Sequence, residues 1–263
     1  MIAIRSLLFN LAFYINVFIL MVIGIPMFIL PQRIGWIILN AWSRSSSWWL
    51  KIIVGTPVEI RGIEYMPKAG CIVAAKHQSS WDTFALLSML PHPAYIYKKQ
   101  LARVPMFGWF LMRYDMIPVD RGKGQSALRD MHKRVKNELK RDRQIVIFPE
   151  GTRRAVAAVP DYKQGLALLY RTCGVPCVPV ALNSGLTWPR RKFGKFRGKI
   201  IIEFCKPIQP GLKRDEFVKE LQETIENTTN RLLIETALEF PDIPRTPELD
   251  QLISAASNKS DSS

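Results

Sequence analysis

From Ser6 to Gln32 the chain carries no charged side chain. Within that stretch, "LLFNLAFYINVFILMVIGIPMFIL" (7–30) is long enough to cross a bilayer core, which takes roughly 20 apolar residues. A cleaved leader is excluded, because the apolar region is too long and no small-residue cleavage pattern follows it. Gly24 and Pro26 predict a break, after which "RIGWIILNAWSRSSSWWLKIIVG" brings Trp36, Trp42, Trp48 and Trp49 together with Arg33, Arg44 and Lys51. Tryptophan and cationic side chains suit the headgroup layer. The expectation is a two-helix hydrophobic membrane anchor over residues 1–54. A buried helical hairpin of a soluble core is the alternative.

Beyond residue 54 the pattern alternates. Short apolar runs at 57–62, 71–75, 94–97, 115–119, 144–148, 177–182 and 199–204 read as strands. Between them, "SALRDMHKRVKNELKRDR" (126–143) sets Leu128, Met131, Val135 and Leu139 on one helical stripe. A last long helix is predicted over 214–239, with Phe217, Leu221, Ile225, Thr228 and Leu232 on one side. Strand and helix alternating in this way predict an α/β fold, a mixed, mostly buried sheet flanked by helices. The expected domain spans 55–240, followed by a loose polar tail, rich in Pro, Ser and Asp, over 241–263.

Charge narrows the partners. The 263 residues include 37 Lys or Arg against 22 Asp or Glu, a net charge of +15, and residues 98–143 alone hold 13 basic against 5 acidic side chains. Such a body meets anions, whether a membrane surface, a phosphorylated substrate or a nucleic acid. Cys71, Cys173, Cys177 and Cys205 lie in or beside apolar runs, with no redox or zinc spacing, and read as reduced thiols. The three histidines are scattered, which leaves little for a metal site.

Two stretches carry chemistry. In "CIVAAKHQSSWDTF" (71–84), His77 and Asp82 would lie roughly 140° apart on one continuous helix. They can pair only if His77 sits in the turn after the strand and a helix starts near Ser79 or Ser80. Asp82 would then hold one imidazole nitrogen and leave the other free as a general base. In "IVIFPEGTRR" (145–154), Gly151 permits a tight turn, Thr152 offers a hydroxyl and Arg153 a planar fork for phosphate oxygens. "MIPVDRG" adds Arg121 and "YIYKKQ" adds Lys98, each directly after a strand. Ligands of open α/β sheets gather at the carboxyl ends of strands.

The ordered blocks "KHQSSWDT", "IPVDRG", "FPEGTR" and "VPVAL" resemble the four-block signature of the glycerolipid acyltransferases over roughly residues 57–205. The resemblance implies transfer of a fatty acyl group from acyl-CoA or acyl-carrier protein to the sn-2 hydroxyl of lysophosphatidic acid, giving phosphatidic acid. It implies His77 as base, Asp82 as its orienting carboxylate, and Arg121 with Glu150, Gly151, Thr152 and Arg153 as the acceptor-phosphate site. Lys98 would add a second cation, although Gln100 stands where the family's K-x-E-L element often has Glu. No cofactor, metal or nucleic acid is implied, and the setting is the cytoplasmic (inner) membrane with the domain facing the cytoplasm. One departure is Lys76, which stands where the commonest first block has Asn, and either lowers the pKa of His77 or points to the opposite side. Competing readings are the same chemistry on glycerol 3-phosphate or a lyso-aminolipid, a non-enzymatic, membrane-tethered anion binder, and a metal-dependent hydrolase.

Overall fold

The computed structural model describes residues 1–260 apart from Leu30, Met106, Arg121 and Lys123. Seven strands form one mixed sheet: β1 (Val58–Arg61), β2 (Cys71–Ala75), β3 (Pro93–Lys98), β4 (Ile117–Val119), β5 (Gln144–Ile147), β6 (Cys177–Leu182) and β7 (Ile200–Phe204). Their order is β1-β7-β6-β2-β5-β3-β4. Strands β6, β2, β5, β3 and β4 run parallel, and β7 turns against β6 and carries β1 alongside it. Five strand ends therefore open onto one edge.

The continuous apolar runs arise because both faces of the sheet are covered. Eight helices do the covering: α1 (Ile2–Ile23), α2 (Gln32–Trp49), α3 (Trp81–Met89), α4 (Phe107–Arg113), α5 (Gly124–Leu139), α6 (Gly165–Cys173), α7 (Arg214–Glu239) and α8 (Pro247–Ser260). Alternate residues of β2 enter two different cores, as the pleat requires. Cys71, Val73 and Ala75 face the side built by α1 to α4, with Phe9, Trp81, Phe84 and Leu111. Ile72 and Ala74 face α5 to α7, with Met131, Val135, Leu169, Phe217, Leu221 and Ile225. On α7 the fully covered threonines are Thr229 and Thr236 rather than Thr228. Burial pushes the Cys71 thiol up to about 12.

The amino-terminal segment holds the two helices expected there, α1 and α2. Among the described residues, α1 is the one helix long and apolar enough to cross a bilayer. Its residues are exposed or half-buried except Ser6 and Phe9, which are buried, and it rests on the domain through Phe9 and Phe13 against Trp188. Helix α2 is a bracket instead. Trp36, Trp42 and Trp49 pack on the core, and Ser43 and Ser88 share a hydrogen bond of 2.8 Å. Asn16 of α1 donates to Ser45 and Ser46 of α2 at 2.9 and 3.1 Å. Six hydroxyl and guanidinium groups spread over α2 lower its hydropathy, while its tryptophans supply the packing.

The segment after Pro241, expected to be a loose tail, contains helix α8. Leu249 is fully buried against Leu233, Ala237 and Ile243, with Leu252 and Ile253 beside it. Leucine and isoleucine at 249, 252 and 253 form the one-faced stripe that docks a helix, which the polar composition obscured.

Candidate active site

Strand β2 stays extended to Lys76, whose N–H donates to the Val180 carbonyl at 2.9 Å. Pleat alternation then sends Lys76 toward α7 and His77 toward the α1–α4 side. His77 is stacked on Phe148, with ring centroids 3.9 Å apart, and its Nδ1 lies 3.0 Å from Asp82 Oδ2. Asp82 sits in the first turn of α3, fully buried. Its Oδ2 also accepts the N–H groups of Gln78 and Ser79 at 2.7 and 2.8 Å, and its Oδ1 accepts Ser184 Oγ–H at 2.5 Å. A carboxylate only accepts, so Nδ1 carries the proton and Nε2 presents a lone pair.

Neither serine before α3 caps it in the ordinary way. Ser79 Oγ accepts the Trp81 N–H at 3.2 Å. Ser80 makes no cap bond and accepts Arg153 Nη1 at 2.5 Å instead, joining the histidine turn to the Glu-Gly-Thr-Arg loop. That loop turns at Gly151, whose φ of +65° favours glycine. It is pinned a second time by the Arg154 N–H, which donates to the His77 carbonyl at 2.8 Å. The Thr152 hydroxyl, half-buried, has no hydrogen-bond partner among the described residues.

Glu150 does not join this group. Its carboxylate is buried and accepts Lys76 Nζ at 3.1 Å, and Lys76 also donates to Glu226 of α7 at 2.7 and 3.0 Å. Tyr162 donates to the same Glu226 at 2.9 Å. The cluster lies across the sheet edge from the imidazole, so Glu150 is an interior ion-pair partner rather than a phosphate contact. Burial raises its pKa, and Lys76 opposes the rise. Lys76 is thereby accounted for: it points away from His77 and neutralises buried carboxylates.

Lys98 ends β3 on the same edge, exposed and without an ion pair among the described residues. Arg121 lies outside the described residues. Four contributors were not read from the sequence. Ser184 follows β6 at the same edge, a position that the strand-end rule flags. Gly185 must be glycine, because a Cβ there would stand 2.8 Å from Val156 and 3.0 Å from Gln78. Arg190 and Arg191, in "WPRRKFGKF", lie close enough to Arg153 to act on its charge. Burial first and Arg190 next lower the Arg153 pKa, while Asp82 opposes them. Arg153 beside a histidine base, with two further arginines near enough to act on its charge, suits a multiply charged anion.

A family model described as "Acyltransferase" matches residues 57–183. The 1-acyl-sn-glycerol-3-phosphate acyltransferase of Pseudomonas aeruginosa is 32% identical over 201 residues, 75% of this chain and 78% of that protein. The lyso-ornithine lipid O-acyltransferase of the same organism is 27% identical over 201 residues, 69% of this chain and 77% of that protein. Among solved structures, the 1-acyl-sn-glycerophosphate acyltransferase of Thermotoga maritima superposes with a TM-score of 0.74 at 24% identity, covering 88% of this chain and 98% of that one. This last likeness concerns the fold.

Proposed function

Since the chain belongs to the acyltransferase family, we propose that it moves a fatty acyl group from acyl-CoA or acyl-carrier protein to the sn-2 hydroxyl of 1-acyl-sn-glycerol-3-phosphate, giving phosphatidic acid. The observation that carries the mechanism is the His77–Asp82 pair, with Nδ1 3.0 Å from Oδ2. Nε2 of His77 takes the proton of the acceptor hydroxyl as that oxygen attacks the thioester carbonyl. The tetrahedral intermediate collapses, the carbon–sulfur bond breaks, and the departing thiolate takes the proton back from the imidazolium. Asp82 orients the ring and balances its transient charge. Arg153, with Arg121, Thr152 and the backbone at Gly151, holds the acceptor phosphate, and Lys98 stands at the rim as a further cation. The reading needs no cofactor or metal beyond the acyl donor.

The setting is the cytoplasmic membrane. Its support is the exposed apolar surface of α1 and the excess of Arg33, Arg44 and Lys51 after it over Arg5 before it, which favours a domain on the cytoplasmic side.

Acyl transfer to lysophosphatidic acid, followed by mass spectrometry with either donor, tests the reading. The expected result is turnover that His77→Ala lowers by about 10²–10⁴-fold, the usual worth of a general base, while membrane association stays intact. Near-native turnover in that variant would overturn the mechanism. The likeness to the lyso-ornithine lipid enzyme favours one alternative, a lyso-aminolipid acceptor. Inert lysophosphatidic acid beside an acylated lyso-aminolipid would establish it.

A further inference from the structure

Helix α5 has a cationic side that no acid among the described residues neutralises. Arg129, Lys133 and Lys136, with Lys140 just past its end, share one side of the helix; all four are exposed, and none makes an ion pair among the described residues. Asp130 is the only exposed acid on that helix, and Glu138 is taken by Arg143 and Arg141. Arg129 and Lys133 are four residues apart, as are Lys136 and Lys140, a spacing at which like charges destabilise a helix. Some exposed cations elsewhere have partners. On α7, Arg231 meets Glu203 and Lys219 meets Glu223.

From this we propose that the exposed face of α5 docks an acidic carrier protein that brings the acyl thioester, an inference that rests on the acyl-transfer reading above. Position decides against the bilayer as the partner. Helix α5 packs on the sheet face opposite α1, so a membrane that holds α1 leaves α5 in water. Position also puts the face within reach of the chemistry. The helix starts at Gly124, just after the β4 loop, on the edge where His77, Arg153 and Ser184 meet.

Extent decides between a protein and a small anion. From Arg129 to Lys140 is roughly 16 Å along a helix axis, a row suited to an extended acidic surface, whereas a single phosphate is held by one or two cations. Nucleic acid is disfavoured because α5 exposes no aromatic ring for base stacking. Long acyl chains are insoluble, so a donor arriving from water needs a soluble, charged carrier, and a row of cations steers such a carrier in.

The experiment compares one acyl chain on acyl-carrier protein and on CoA, with lysophosphatidic acid as acceptor. It uses wild-type enzyme and the triple variant Arg129→Glu, Lys133→Glu, Lys136→Glu, with the neutral Gln triple as a second variant should the first not fold. The expected result is at least a roughly tenfold fall in kcat/KM for the carrier donor, through KM, with kcat and all CoA kinetics unchanged. Added salt should lower kcat/KM with the carrier in wild type and leave the variant flat. Unchanged carrier kinetics, an equal loss with both donors, a loss confined to CoA, or a wild type that uses CoA but not the carrier would each overturn the docking proposal and leave the acyltransferase reading standing. Wild-type enzyme inactive with both donors overturns both.

Discussion

Lys76 and His77 are neighbours in the chain, yet their side chains work on opposite faces of the sheet. The lysine closes a buried cluster with Glu150 and Glu226, and removing one partner of such a cluster leaves a charge without compensation. Lys76→Met is expected to cost about 3–5 kcal/mol in denaturant unfolding, and Lys76→Met combined with Glu150→Gln should recover part of that loss. Equal stability of the two variants would show that the carboxylate tolerates isolation. The pairing of His77 with Asp82 was legible in the sequence because both ends lie within one turn and one helix start. Ser184 and Glu226 were not, since their approach depends on how β6 and α7 pack. Glu150 was misplaced for a related reason: it sits beside Gly151 and Arg153 in sequence, and its environment is set by a lysine 74 positions earlier.

At the level of elements, the strands were legible because a sheet covered on both faces demands apolar runs, and the seven runs gave the seven strands. Helices α5 and α7 were written in long one-sided stripes. The bracket role of α2 was not, because tryptophans that suit a headgroup layer also suit a helix-to-sheet contact. Helix α8 was hidden by composition. Its docking rests on Leu249, and Leu249→Ala is expected to destabilise the protein by about 2–5 kcal/mol in thermal or denaturant melts, if α8 belongs to the cooperative unit. A change below about 0.5 kcal/mol would mean that the helix lies on the domain without contributing to its stability.

The whole molecule presents two solvents to one sheet. Side chains such as Leu11, Phe18 and Val22 make α1 a greasy exterior, while the cations of α5 face water on the other side. Leu11→Glu with Phe18→Glu should move the enzyme from the vesicle fraction to the soluble fraction in a flotation assay and leave the melting temperature within a few degrees, because neither side chain is buried in the domain. Retention on vesicles would assign membrane binding to another surface. The strand between the two sides carries a constraint of its own. Because each pleat reverses the side to which a residue points, the number of residues from Cys71 to Ala75 matters more than which apolar residues they are. Val or Ile could replace one another there at small cost, but losing or gaining a single residue would deliver the lysine to the substrate and bury the histidine among carboxylates. Evolution can rewrite the letters of this strand and has little freedom to change its length.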